Sequence, residues 1–228
     1  ERSERELDEI IGARRGQVAI GAAPSFAWTV LPSILTRFMQ DHPLVEISIR
    51  EAYSSVLFQA VASGEIEYAL MLLPRIPPHP DLAVEILVPR VPYGVIASRN
   101  NPAASLDRPR AKDIWPGPWL LQAAPDQVRD TLNTAFLRSG LPAPPVAIEV
   151  NARTMLLQLL SEGSFLSVQL EIAWRDALRS GSLRMLPVPG FAWHARAGVL
   201  FRRGARFTPA AERLLMNVRK AARQLASD

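Results

Sequence analysis

The residues that could do chemistry in this sequence point to recognition more than to reaction. Cysteine is absent, which removes thiol nucleophiles, disulfides and cysteine-based zinc or iron–sulfur centres. The three histidines, His42, His79 and His194, stand in unrelated contexts, and no pair has the spacing of metal ligands. There is no Gly-x-Ser-x-Gly elbow, no phosphate-cradling Gly-x-x-x-x-Gly-Lys loop and no Gly-x-Gly-x-x-Gly dinucleotide turn. The acids are scattered and form no obvious acid/base pair. Neither catalysis nor a metal or other cofactor is therefore expected. What remains is a set of hydroxyls, amides, rings and one arginine that could hold a small molecule.

Those candidates are selected by the elements that would carry them. From Gln17 the sequence alternates short apolar runs with helical periodicity. Val18–Ala22, Val45–Ile49 and Tyr68–Leu73 read as strands, and Val30–Met39 and Val56–Val61 as helices between them, the first ended by Asp41-His42-Pro43 and the second by Gly64. Pro24-Ser25 reads as the turn after the first strand. Leu82–Ser98 reads as extended. A second series follows the break at Asn100-Asn101-Pro102, with strands Trp119–Leu121, Val146–Ile148, Phe165–Val168 and Leu183–Leu186. Its helices are Val128–Leu137, Arg153–Leu160 and Ile172–Leu178, closed by Gly140, Gly163 and Gly181. Ala192–Phe201 is again extended. Thr208-Pro209 then caps and opens a last amphipathic helix through Leu214, Leu215, Val218 and Ala222. This pattern predicts an α/β fold with two Rossmann-like lobes joined by two crossover strands. Lobe I takes residues 16–98 and 196–228, and lobe II takes 99–195. Residues 1–15, with Leu7, Ile10 and Ile11 on one stripe, read as the end of a longer helix.

In doubly wound sheets ligands sit outside the carboxyl ends of the strands. On the second lobe that selects Gln122 and Gln127, which equally suit a surface turn. It also selects Asn151-Ala152-Arg153-Thr154, where Asn151 reads as the helix cap and Thr154 as a residue facing the cleft. An arginine at a helix start opposes the helix dipole, so Arg153 needs a reason, and a carboxylate ligand would be one. Solvent exposure is the plainer alternative. Trp193 lies on the second crossover, as a ring to stack on a ligand or as packing, and Val168 as cleft floor or strand residue.

Length and composition set the class. The 228 residues, 48% hydrophobic, can bury a core, and charged residues interrupt every long apolar stretch, so no membrane span is expected. The net charge of +4 rests on 26 basic residues, of which only Lys112 and Lys220 are lysines. Their short clusters form no stripe of the kind that reads nucleic acid. The charged N-terminus, Glu1-Arg2-Ser3-Glu4-Arg5-Glu6, is unlike a signal peptide, which favours a cytoplasmic location.

An ordered set of residues resembles the effector-binding domain of LysR-type transcriptional regulators. It comprises Gly16-Gln17-Val18-Ala19-Ile20-Gly21, Leu31-Pro32-Ser33-Ile34-Leu35 with Phe38, Asp41-His42-Pro43, Val45-Glu46-Ile47 with Glu51, and Gly64-Glu65-Ile66-Glu67. Later pieces are Glu162-Gly163 before Phe165-Leu166-Ser167-Val168, and Ser180-Gly181-Ser182-Leu183. The resemblance covers roughly residues 5–225. It implies a fold like the type 2 periplasmic-binding proteins, and a linker helix leading from a winged helix-turn-helix that this chain does not contain. DNA would be reached only through that domain. It further implies a small-molecule effector, for which Arg153 suits a carboxylate and Trp193 an aromatic or a sugar, and a homodimer or homotetramer pairing a first-lobe helix such as Val56–Val61 with a second-lobe helix of the partner. Pro24-Ser25-Phe26 would line the cleft, with Ser25 donating, and Ser54 matches an effector-bonding position. Both serines also suit plain helix caps. Three departures stand out: Gln169 where a proline commonly closes the strand, Ser164-Phe165 in place of a glycine-rich continuation, and Glu67 in place of aspartate. An exported solute-binding protein of a transporter is the alternative on the same fold.

Overall fold

A computed structural model describes residues 15–74, 77, 79–124 and 126–225. The helix expected around Leu7, Ile10 and Ile11 lies outside them. The described residues divide into two units, those of Glu1–Arg90 with Ala195–Asp228, and Val91–His194.

In the first unit the continuous apolar run Tyr68–Leu72 forms strand β3, and period two explains its composition. Tyr68 and Leu70 face one core and Ala69 and Met71 another, so no position is left for a polar side chain. Strand β1 (Arg15–Ala22) lies between β3 and β2 (Leu44–Glu51), parallel to both, with Ile20 opposite Tyr68 and Ile49. Strand β9 (Ala192–Arg202) runs antiparallel to β3 and places Ala197 opposite Leu72. The first part of β4 (Leu82–Ser98) lies beside β9.

Helices cover both faces of this sheet. Pro24 and Ser25, expected as a turn, instead open a short helix α1 (Pro24–Thr29), where proline's fixed φ suits the first helical position. Helix α2 (Leu31–Asp41) follows and buries Leu31, Ile34 and Phe38 against Val18, Ile20 and Tyr68. On the other face α3 (Ser54–Ser63) buries Leu57, Ala60 and Val61 against Ala69 and Met71. It ends at Gly64, whose φ of 80° is left-handed and costs a glycine nothing.

The second unit repeats the plan. Strand β5 (Trp119–Leu121) lies between β6 (Val146–Glu149) and β7 (Leu166–Leu170), parallel to both. The later part of β4 pairs antiparallel with β7 and with β8 (Leu183–Met185). Helix α4 (Ala111–Ile114) precedes β5, α5 (Gln127–Arg138) follows it, α6 (Arg153–Glu162) follows β6, and α7 (Arg175–Arg179) precedes β8. Helix α6 stops at Gly163 as expected, but without a left-handed residue. The φ there is −95°, and a Cβ would stand 2.3 Å from the Phe165 ring, so the glycine serves close approach.

Strands β4 and β9 are the two segments that pass from one unit to the other. The closing helix α8 (Pro209–Leu225) returns to the first unit, where Ala210, Leu214, Leu215 and Val218 join the core of α2. Its start is held by Glu67, which accepts from the backbone N–H of Thr208 at 2.7 Å and from its hydroxyl at 2.9 Å. The departure from aspartate at this position thus fastens the last helix. Further along α8, Arg219 donates twice to the Glu85 carboxylate of β4, at 2.8 and 2.7 Å.

Candidate functional site

Parallel strands that end together bring their following loops together, and backbone bonds in the first unit show this convergence. Ala23 donates to the Leu70 carbonyl at 2.8 Å and Ala52 to the Ala22 carbonyl at 3.2 Å, which ties the ends of β1, β2 and β3. Across the mouth of these loops Trp28 Nε1 donates to Glu51 at 2.9 Å. Ser25 is half-buried in the first turn of α1, and Ser54 is exposed at the start of α3. The cap positions are Ala23 and Tyr53, and neither helix has a side-chain cap. Helix capping therefore does not account for either serine. Phe26 packs against the core between β1, α2 and α8.

The second unit builds an analogous loop pair. Val150 donates to the Leu121 carbonyl at 2.9 Å, joining the ends of β5 and β6. Asn151 was expected to cap α6, but the cap position is Ala152. The Asn151 side-chain oxygen instead accepts from the backbone N–H of Ala123 at 3.1 Å and binds the two loops together. Arg129 donates to the Gln122 carbonyl at 3.1 Å and to Glu149 at 2.5 Å. Asp126 caps α5 by accepting from the Arg129 N–H at 2.8 Å, and burial pushes its carboxyl above the ordinary carboxylate range. On this frame Gln122 is half-buried, while Gln127 and Thr154 are exposed in the first turns of α5 and α6.

Arg153 is held rather than loose. Its guanidinium carbon lies 4.5 Å from the centre of the Trp174 ring, and Nη2 donates to the Ala173 carbonyl at 2.9 Å. Burial lowers its pKa, yet a guanidinium stays charged at any working pH. Trp174 in turn donates to the Gln169 side chain at 3.1 Å, and Gln169 donates to Ser167 at 2.9 Å. Gln169 and Trp174 were not among the expected site residues. The missing proline at Gln169 was the one signal pointing to them.

The remaining candidates are packed. Val168 is 1% exposed and pairs with Val95 across β7 and β4, so its side chain belongs to the core. Trp193 is half-buried, with its ring centre 5.3 Å from that of Tyr93 and 5.9 Å from that of Phe191. The Tyr93 hydroxyl reaches Thr131 of α5 at 3.4 Å. Chemically, the loops of each unit offer hydroxyls and amides, and the second adds a fixed cation. Among the described residues no group of three potential metal ligands comes together, and no helix is long and apolar enough to cross a membrane.

Comparison with known proteins places this arrangement. The HTH-type transcriptional regulator GalR of Pseudomonas putida is 27% identical over 217 residues, which cover 94% of this chain and 54% of that protein. The chain thus spans about half the length of its curated relatives. The regulatory domain of Synechocystis CcmR, solved with 2-PG, superposes with a TM-score of 0.80 at 17% identity and covers 92% of this chain and 99% of that one. The effector-binding domain of QuiR, solved with shikimate, gives 0.76 at 14% identity over 92% and 98%. At these identities the two structures establish the fold, which is that of the type 2 periplasmic-binding proteins. Residues 12–223 match the family described as LysR substrate binding domain, and the chain belongs to that family.

Proposed function

We propose that this domain senses a small-molecule effector and passes its occupancy to a DNA-binding domain outside this chain. The family match over residues 12–223 carries the reading. The loop geometry supports it, because polar groups gather where each unit's parallel strands end, the usual position of a ligand in such sheets. The residues assigned to the effector are Ser25 and Ser54 in loops of the first unit and Gln122, Gln127, Arg153 and Thr154 in loops of the second. Trp193 would offer a ring edge, and Phe26 and Val168 would support these loops from the cores behind them. A carboxylate fits Arg153, and the shikimate and 2-PG found in the two related folds set the scale of molecule to test first. Ligand binding would change the relative population of conformations and so the attached domain's hold on DNA.

The protein acts in the cytoplasm and turns over no substrate in this account. It works as a homodimer or homotetramer. Helix α3 commits Leu57, Ala60 and Val61 to its own core, so Val56, 39% exposed, is what it offers to a partner, alongside Met155 and Leu157 of α6 at 55% and 39%. The relatives are transcriptional regulators, which favours this reading over a transporter's solute-binding protein.

Thermal melting in the presence of shikimate, aromatic acids, sugars and amino acids tests the proposal. A ligand at about a hundred times its Kd stabilises the folded state by about 2.7 kcal/mol and raises Tm accordingly. Ser25→Ala and Thr154→Ala should each weaken a hit about fivefold or more, the loss of one hydrogen bond. Unchanged affinity in both variants would refute the site.

A further inference from the structure

Arg153 stands at the first position of α6, where the helix dipole disfavours a positive charge. Among the contacts that hold it there are the Trp174 ring beneath the guanidinium and the Ala173 carbonyl at its edge. Both belong to the short segment that follows β7, so what fixes that segment helps to set the orientation of Arg153. Trp174 is 3% exposed, and its indole N–H donates to the side-chain oxygen of Gln169 at 3.1 Å. The Gln169 amide nitrogen donates to Ser167 Oγ at 2.9 Å, and that hydroxyl donates to the Leu120 carbonyl at 2.8 Å. Ser167 and Leu120 are both fully buried.

Strands β5 and β7 pair in register only at Trp119 and Leu166, so the Ser167 hydroxyl extends their connection one residue further. A relay of polar contacts therefore runs from the buried centre of the sheet, through Gln169 and Trp174, to the guanidinium. Each end of the Gln169 amide has one task in it, and a proline at this position could do neither.

We infer that Gln169 and Trp174 are positioning residues that hold the Arg153 guanidinium in one plane, so that the effector site selects a carboxylate over an uncharged group of the same shape. The inference rests on the proposed role of Arg153 as an effector contact. A guanidinium with a fixed plane presents its N–H groups as a fork that matches a carboxylate's two oxygens, whereas a free arginine must lose rotamer freedom to do so. The selectivity is thus built behind the contact residue and outside the loops that touch the ligand.

The test uses benzoate and its neutral counterpart benzamide as probes. Each is titrated at constant ionic strength into the nitrogen-15-labelled chain while the Arg153 Nε–H and Trp174 indole N–H resonances are followed. Benzoate should shift the Arg153 resonance saturably and benzamide should not. Gln169→Leu and Trp174→Phe should each weaken benzoate about tenfold, roughly one hydrogen bond's equivalent. The double variant should weaken it no further, because the two residues act through one contact.

If benzoate leaves wild-type Arg153 unmoved, Arg153 is no anion contact and both the reading and the inference fall. If benzoate binds wild type and both single variants equally, the inference alone falls. Equal shifts with benzamide would overturn the selectivity. The Trp115 and Trp119 indole resonances report whether a variant keeps its fold. Should Gln169→Leu lose it, Trp174→Phe, which keeps a six-membered aromatic ring and removes the N–H with the rest of the indole, decides the question.

Discussion

Asp126 caps α5 from a half-buried position, and burial raises its pKa above the ordinary carboxylate range. The folded state therefore holds this proton more tightly than the unfolded chain does. The stability so contributed is complete below the ordinary carboxylate pKa and is lost as pH rises through the raised value. Asparagine caps a helix about as well without the charge. Asp126→Asn should thus retain the fold at neutral pH and remove this downward slope, as measured by urea unfolding across a pH series. Superimposable pH profiles for the two proteins would contradict the assignment. At this scale the sequence exposed which residues could act but not which second task each one has. Ser25 and Ser54 looked equally like caps and ligand contacts because both roles require the same residue at the same place. Asn151 looked like a cap, and only folding reveals the Ala123 N–H at 3.1 Å that takes its oxygen instead. The Gln169–Trp174 bond joins residues five apart across a turn, a spacing that no helical or strand period marks.

Strands β4 and β9 come close at Gly198. A Cβ there would meet the Glu85 carbonyl oxygen at 1.9 Å, and both partners are backbone, so no rotamer change relieves the clash. Gly198→Ala should cost more than about 4 kcal/mol or prevent folding, measured by soluble yield and urea midpoint. A midpoint like that of wild type would show that the strands can separate without penalty. Long elements with strong periods were legible in the sequence. Helix α3 ends at Gly64, α5 is followed by Gly140 and α7 by Gly181, all with positive φ, and each of those glycines marked its boundary. The short helix α1 and the four-residue α4 were not legible, because a single turn carries no repeat. Gly198 was also silent, since a glycine inside an apolar run does not show which backbone comes close to it.

At the level of the whole chain, the two-unit plan was readable because a second βα series lies between two extended segments. The divisions at Arg90 and at His194 fall inside β4 and β9, where no change of composition marks them. The central claim is that a small molecule engages the loops that follow the parallel strands, and hydrogen exchange with a ligand taken from the melting screen tests it most directly. The account predicts that backbone exchange slows at the helix starts that carry the assigned residues, those of α1, α3, α5 and α6. Protection absent from all four helix starts while the ligand is bound would contradict it.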